Sequence, residues 1–326
     1  MHQSALGVNL DKIFPKLSIR TKLLISFVGL ALVPTLLVGG WAASRVAADL
    51  RARALAGLAG AAADRARSIE ALDVSVEDDL RYLMVHAALR QLRQESRRTE
   101  REAARKALES VFLSFSQGRR AYYQLRYIDG TGREVVRVDY RDGRAFPVSE
   151  HELQDKSDRY YVREGLRREP GEMYVSPMDL NVEHGQIEVP PRPMIRYVLP
   201  LGEGPRADSL LVVNLFAEHL FELLEPLRSA GRAILLDDAG TYLAASDGLH
   251  ASFSVLSGRT LGDDEPPAVV RRLVSDAGSL LSSNGTAYGF SPIGGRAEAW
   301  GRHWVLAVVV PETELVGAAR RAAWVI

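Results

Sequence analysis

Residues 122–139, YYQLRYIDGTGREVVRVD, decide the fold class of this chain. Two runs rich in β-branched and aromatic residues flank the tetrapeptide DGTG at positions 129–132, which predicts two strands joined by a glycine-containing turn. The same order returns on a smaller scale in AILLDDAGTYLA at residues 233–244. This repetition predicts two similar mixed units, the first over residues 119–230 and the second over residues 231–315.

Short strand patterns alternate with helical patterns through both units. In the first unit we predict a helix at 154–168, strands at 173–176, 194–199 and 210–215, and a closing helix at 217–228; in the second, a helix at 268–275 and strands at 286–290 and 304–310. Such an order favours an α+β fold in which helices flank short antiparallel sheets, rather than one doubly wound parallel sheet.

Residues 44–118 precede the first unit and are rich in Ala, Leu, Arg and Glu, which predicts a long helical stalk made of one helix or a helix pair. A partial heptad seam is formed by Leu55, Ala62, Ile69, Val76 and Leu83. Arg65 and Asp79 interrupt the seam. It packs either on its own domain or on a second chain; we expect packing on the domain, with the membrane-near part in a homodimer.

Residues 23–43 carry no charge and are long enough to form a transmembrane helix. The basic side chains of Lys12, Lys16, Arg20 and Lys22 predict that residues 1–22 are a cytoplasmic tail and that the chain after residue 43 lies outside. A cleaved signal peptide is the alternative, but the long basic segment and the uninterrupted helical sequence that follows favour an uncleaved anchor. Residues 316–326 are interpreted as the start of a second transmembrane helix or, alternatively, as a short amphipathic helix.

The overall composition excludes several function classes. The chain of 326 residues has 41 Lys and Arg against 41 Asp and Glu and no cysteine. A balanced charge gives no reason to expect a nucleic-acid partner, and the lack of cysteine removes thiol catalysis and cysteine metal sites. Because the sequence also contains no zincin, serine-hydrolase or P-loop motif, we predict neither enzymatic activity in this chain nor a cofactor.

Four segments resemble the ordered signature of the double Cache domain: SDRYY at 157–161, GEMYVSP at 171–177, PMIRYVLP at 193–200 and LVVNL at 211–215. Such domains are periplasmic, tandem PAS-like sensors of bacterial histidine kinases, diguanylate cyclases and chemoreceptors. The resemblance covers about residues 44–315 and implies that a small-molecule ligand binds in the first, membrane-distal unit.

Carried over by position, the resemblance implies a set of ligand-binding residues. They are Arg159, Tyr160, Tyr161, Tyr174, Ser176, Arg196 and Asn214, with Tyr123 and Arg126 as further candidates. Arginine can hold a carboxylate through a bidentate fork, and tyrosine offers an apolar wall with one polar tip. Amino-acid-binding members carry aspartate where Asn214 stands, so the ligand is expected to be a small carboxylate or another polar metabolite as much as an amino acid.

An acidic cluster in the first unit offers a second, less favoured site. Asp179, Glu183, His184 and Glu188 lie within ten residues and are ligand types that hard or borderline cations accept. Pro177 and Gly185 indicate loop and turn, where polar residues are commonly only solvated, and no metal is predicted.

We therefore predict the sensor region of a bacterial transmembrane receptor in the inner membrane, with the sensor in the periplasm and the output module, a histidine kinase, absent from this chain. The alternative is a membrane-tethered protein that binds a solute or a partner without signalling.

Overall fold

The computed structural model describes residues 18–225, 227, 231–246, 258–282, 284–294 and 301–317. Most of the predicted cytoplasmic tail, up to residue 17, and most of the predicted second membrane helix, from residue 318, lie outside this part of the chain. The chain divides into two compact parts, residues 1–53 and residues 54–326.

The first part contains the segment expected to cross a membrane. Residues 23–43 lie in helix α1 (Ile19–Val85), which contains Pro34. The most apolar 18-residue window of α1 has a mean hydropathy of 2.2, and none of it is buried. By length and composition this segment of α1 is able to span a bilayer.

Three helices, rather than one or a pair, occupy most of residues 44–118. Helix α1 ends at Val85 and is followed by α2 (Ala87–Gln94) and α3 (Arg98–Arg119). The first break is capped by His86, whose Nδ1 accepts a hydrogen bond from the backbone N–H of Ala88 at 3.2 Å. No proline or glycine signals this break, so the sequence pattern continues through it.

A seven-stranded antiparallel sheet follows α3. Its strands are β1 (Tyr122–Asp129), β2 (Glu134–Arg141), β3 (Arg144–Pro147), β4 (Tyr174–Val175), β5 (Asp179–Leu180), β8 (Pro193–Leu201) and β9 (Ser209–Phe216). The strand order is β3-β2-β1-β9-β8-β4, and β5 also pairs with β8. Helix α4 (Tyr160–Arg167) packs on one face of this first sheet. The predicted helix at 154–168 is therefore shorter, because residues 154–159 form the loop that leads into it.

Two smaller elements complete the first unit. Strands β6 (Val182–Glu183) and β7 (Gln186–Ile187) form a separate hairpin, and helix α5 (Glu218–Leu224) follows β9.

The second unit contains a five-stranded antiparallel sheet. Its strands are β10 (Arg232–Asp237), β11 (Tyr242–Ala245), β12 (Gly278–Leu281), β13 (Thr286–Ile293) and β14 (Trp304–Pro311), in the order β11-β10-β14-β13-β12, with helix α6 (Pro267–Ser275) packed against it. This architecture confirms the predicted α+β class with short antiparallel sheets.

The predicted turn repeat is visible in its hydrogen bonds. The Asp129 carboxylate accepts from the backbone N–H of Thr131 at 2.9 Å, and the Asp237 carboxylate accepts from the backbone N–H of Thr241 at 2.7 Å. Gly132 and Gly240 each lie three residues after the aspartate, with φ of 90° and 78°. Glycine adopts this left-handed conformation without steric cost, which explains why both turns carry it.

The part of α1 after Ala54 packs on the core of both sheets. The seam residues Ala62, Ile69, Val76 and Leu83 are all buried in one cluster with side chains from the two sheets. This confirms that the seam packs on its own domain. The second sheet approaches α1 closely at Gly289, where an added Cβ would lie 2.2 Å from the backbone carbon of Leu58.

Two buried carboxylates of α1, one of them the seam-interrupting Asp79, have a structural role. Asp79 is buried and accepts hydrogen bonds from the Tyr122 hydroxyl and from Arg119. Asp73 is also buried and accepts from the Tyr197 hydroxyl and from Arg302. These carboxylates therefore attach α1 to the sheets through buried polar contacts.

Candidate functional site

One face of the first sheet is polar although it is buried. A β-bulge after Tyr122 turns Tyr122 toward α1, whereas Tyr123 and Gln124 both donate to carboxylates of the 181–188 segment. We call the surface that carries Arg126, Arg137, Arg196 and Asn214 the site face. Because side chains alternate along a strand, these four residues from four neighbouring strands lie on the same side of the sheet.

Arg126, Tyr161 and Asn214 meet at the centre of the site face. The Arg126 guanidinium donates to the Asn214 side-chain oxygen and, at 2.9 Å, to the Tyr161 hydroxyl. Asn214 in turn donates to the side-chain oxygens of Gln124 at 2.9 Å and Asn181 at 3.2 Å. Three of the predicted ligand-binding residues therefore come together, but their polar groups bind one another.

Arg196 and Tyr160 converge on Asp179, from the predicted acidic cluster. Arg196 forms an ion pair with this carboxylate, and the Tyr160 hydroxyl donates to it at 2.7 Å. Burial and the Asp179 charge raise the pKa of Tyr160, so its hydroxyl remains a donor. The Tyr161 ring contacts both arginines. Its centre lies 5.0 Å from the guanidinium carbon of Arg196 and 5.5 Å from that of Arg126.

Glu183 is the most densely bonded carboxylate of the site face. It accepts from Arg137 at 2.9 Å, Gln124 at 2.9 Å and Gln154 at 2.6 Å, and the Lys156 ammonium lies 3.6 Å away. Burial alone would raise the pKa of Glu183, but the charges of Arg137 and Lys156 outweigh burial and lower it. Glu183 is therefore ionised and neutralises buried cations.

The remaining members of the acidic cluster do not form a metal site. Glu188 accepts from the Tyr123 hydroxyl and, at 2.9 Å, from Asn181, and His184 is exposed at a turn with φ of 49°. Among the described residues, no three His, Asp or Glu side chains have an arrangement that could hold a metal ion. The carboxylates of this segment instead pair with arginine, lysine and tyrosine.

Three predicted residues lie away from this network. Arg159 precedes α4 and lines a cavity of about 260 Å³ together with Lys156 and His184. Tyr174 lies under Arg168, whose guanidinium carbon is 5.3 Å from the ring centre. The Ser176 hydroxyl accepts from the backbone N–H of Arg196 at 2.9 Å and therefore holds strand β8.

A larger cavity of about 460 Å³ adjoins the site face on the side of β2 and β3. The residues that line it are Arg137, Asp139, Arg141, Phe146, Pro147, Val148, Glu152, Gln154, Glu183, His184, Glu188 and Val189. Its size is within the range of pockets that hold small ligands. Sequence reasoning missed Arg137, Asp139 and Arg141, although charged residues at alternate positions of one strand were a visible signal that β2 has a polar face.

Comparison with known proteins identifies the chain. A family model described as the sensor domain of bacterial histidine kinases matches residues 83–261. The chain belongs to this family. No curated protein matches its sequence.

Solved structures share the fold of this sensor domain. A domain of a protein described as belonging to the sensory box/GGDEF family of Vibrio parahaemolyticus has a TM-score of 0.62 at 23% identity and covers 82% of this chain and 98% of its own. The extracellular domain of the protein described as histidine kinase vpHK1S-Z8 has a TM-score of 0.62 at 23% identity, with coverages of 83% and 94%.

A chemoreceptor domain has the same fold. The ligand-binding domain of the Campylobacter jejuni chemoreceptor Tlp3, in complex with L-valine, has a TM-score of 0.59 at 14% identity and covers 83% of this chain and 97% of its own. These TM-scores show a common fold, and together with the family match they confirm the resemblance to tandem PAS-like sensors. The sensor domain of this family is not itself catalytic, and no output module is evident in the part of the chain that the structure describes.

Proposed function

We propose that this sensor domain binds a small ligand in the cavity of about 460 Å³ beside the site face. The observation that carries the proposal is the cavity itself, which is bordered by the paired charges of β2 and by residues that follow the β6-β7 hairpin. Cavities with a few convergent polar groups are the usual form of small-molecule sites. The first unit, residues 119–230, is then the ligand-binding unit. Arg126 and Arg196, with the polar side chains of Tyr161 and Asn214, form a charged layer on the site face that adjoins this cavity but does not line it.

The location follows from the charge distribution of the sequence. The basic residues before the apolar segment favour a cytoplasmic position for the chain's first 22 residues, and the domain after residue 43 is then periplasmic. A periplasmic ligand would act on a cytoplasmic output module, for which a histidine kinase is the expected type.

Strand β8 connects the site face with α1. Arg196 belongs to the site face, while the next residue, Tyr197, points the other way and donates to Asp73 of α1. A ligand that binds more tightly to one arrangement of the charged layer would shift β8 and, through Tyr197, helix α1. Such a shift requires different affinities for two states of the sensor domain.

The test is a thermal-shift screen of the full chain in detergent micelles against organic acids, amino acids, amines and divalent cations. A ligand at about 100 times its dissociation constant adds about 2.7 kcal/mol to the free energy of unfolding. Val148→Trp fills the cavity, and Val74→Trp on the exposed side of α1 is the matched control.

The expected result is a ligand that stabilises the wild type and Val74→Trp but not Val148→Trp. A ligand that stabilises both variants equally binds elsewhere and contradicts the proposal, as does a full panel without any stabilising ligand.

A further inference from the structure

Four carboxylates line the cavity, those of Asp139, Glu152, Glu183 and Glu188, and each of them already accepts hydrogen bonds from neighbouring side chains. Asp139 accepts two hydrogen bonds from Arg137, at 2.7 and 2.8 Å, and one from Arg141 at 2.8 Å. Glu183 and Glu188 accept from the partners described above. A cationic ligand would have to displace these donors, and each displaced donor would be left unpaired in a buried position.

Arg141 differs from these groups because it has unused donors. A guanidinium carries five N–H groups, and in the described part of the chain Arg141 gives one of them, to Asp139. Its Nε is buried without a hydrogen-bond partner. The guanidinium carbon lies 5.4 Å from the ring centre of Tyr123 and 5.7 Å from that of Phe146, so the two rings hold the plane of the group in place.

A second guanidinium lies on the same tyrosine. The carbon of Arg192 is 5.4 Å from the Tyr123 ring centre, and its Nε is buried without a hydrogen bond, 3.5 Å from a Glu188 oxygen. Two arginines with unused N–H groups therefore lie against one ring, and of these three residues Arg141 lines the cavity. An anionic group with two oxygens fits such donors well, because arginine binds carboxylates through paired hydrogen bonds.

Part of the cavity lining is apolar and exposed. Phe146 is 38% exposed and Val189 is 87% exposed, and Pro147 and Val148 also line the cavity. Single exposed apolar residues are common on protein surfaces, but these four line the same cavity as Arg137 and Arg141. Covering them with an apolar part of a ligand would remove this surface from water.

We propose that the ligand is a small organic acid with an apolar tail, whose carboxylate binds Arg141 and whose tail packs on Phe146 and Val189. This inference rests on the proposed function and specifies its ligand. It locates the recognition of the acid on β2 and β3, and not at Arg159, Tyr174 or Asn214, which the family resemblance implied.

The test uses four probes that differ in charge or tail: phenylacetate, its neutral amide phenylacetamide, the cation phenethylamine, and acetate, which has no tail. Binding of each to the full chain in detergent micelles is measured by isothermal titration calorimetry. Phenylacetate is expected to bind at least about tenfold more tightly than each of the other three. For the amide and the amine, the loss of one charge-assisted hydrogen bond corresponds to about that factor. For acetate, the loss of the buried apolar tail has an effect of at least that size.

Variants test which residue binds the carboxylate of the ligand and which residue binds its tail. Arg141→Gln is expected to abolish the preference for phenylacetate over phenylacetamide, whereas Arg271→Gln, on the exposed surface of α6, leaves it unchanged. Val189→Asn is expected to weaken the binding of phenylacetate several-fold without changing the binding of acetate. Ile187→Asn is its matched control, because Ile187 is 47% exposed in the same segment but does not line the cavity.

Three results overturn the inference: tighter binding of phenethylamine than of phenylacetate, an unchanged acid preference in Arg141→Gln, or no binding of any probe. The proposed function survives each of them if another ligand of the wider panel stabilises the wild type but not Val148→Trp. It fails separately if no panel ligand depends on the cavity.

Discussion

The two faces of the first sheet bury charge in different ways. On the site face, each of two carboxylates pairs with two cations. Glu183 lies beside Arg137 and Lys156, and Asp139 lies beside Arg137 and Arg141. On the face that packs against α1, which we call the helix face, Asp73 is 2% exposed and Arg302 is the only cation in an ion pair with it among the described residues.

This difference matters for stability. A carboxylate that has two cations remains neutralised when one of them is removed, so the loss of one cation costs less on the site face than the loss of a carboxylate's single cation. A buried carboxylate that loses its single cation does not remain neutralised, because the uncompensated charge would stay in a medium of low dielectric constant. The comparison therefore assigns redundant charge pairing to the site face and firm attachment of α1 to the helix face.

Removing the single cation paired with Asp73 should have the largest effect. Arg302→Met leaves the Asp73 carboxylate with the Tyr197 hydroxyl alone, and we expect a loss of about 3–5 kcal/mol in the free energy of unfolding. Chemical denaturation of the full chain in detergent measures it. Arg272→Met is the matched control, because the Arg272–Asp276 pair is more than half exposed on both sides and should contribute less than about 1 kcal/mol. Equal losses in the two variants would contradict the role assigned to Arg302.

Removing one shared cation of the site face should cost less. In Lys156→Met, Glu183 keeps Arg137, Gln124 and Gln154, and we expect a loss of about 1–2 kcal/mol in the same denaturation experiment. A loss as large as that of Arg302→Met would show that the charges of the site face are not redundant, and the comparison would fail.

Acid should weaken the site face through Glu183. Because Arg137 and Lys156 outweigh burial and lower the folded-state pKa of Glu183 below its ordinary value of 4.5, its contribution is complete above pH 4.5 and is lost as the pH falls further. Between pH 7 and pH 3.5 the wild type should lose about 1 kcal/mol more than Glu183→Gln, measured by denaturation at each pH. Parallel pH profiles below pH 4.5 would show that the pKa of Glu183 is not lowered by folding.

The elements of the fold were predictable because they depend on local patterns. Alternating apolar residues and the two Asp-x-x-Gly turns identify β1, β2, β10 and β11, and the uncharged segment identifies the part of α1 that is long and apolar enough to span a membrane. The breaks at His86 and before Arg98 were not predictable, since no proline or glycine marks them in sequence that otherwise favours helix. The first is capped by the His86 side chain, and at the second the Glu95 carboxylate accepts from the backbone N–H of Arg97 in the linker.

Part of the candidate site was also predictable. Arg126, Tyr161, Arg196 and Asn214 do meet, because strand alternation brings neighbouring strands' polar residues to one face. Arg159 and Tyr174 lie outside that network, and Ser176 bonds the backbone of Arg196 rather than its side chain. Arg141 was not among the predicted residues. The spacing of residues in the sequence does not indicate which arginine side chains donate all their hydrogen bonds within the folded protein and which do not.

The sequence alone therefore determined the α+β class, the two repeated units and the apolar segment, because each follows from periodicity or composition within a short stretch. The tertiary structure alone decided which charges are shared and which arginine retains unused donors. Those properties depend on contacts between residues far apart in the chain, such as Asp73 with Arg302 and Arg137 with Glu183, and such contacts exist only once the chain has folded.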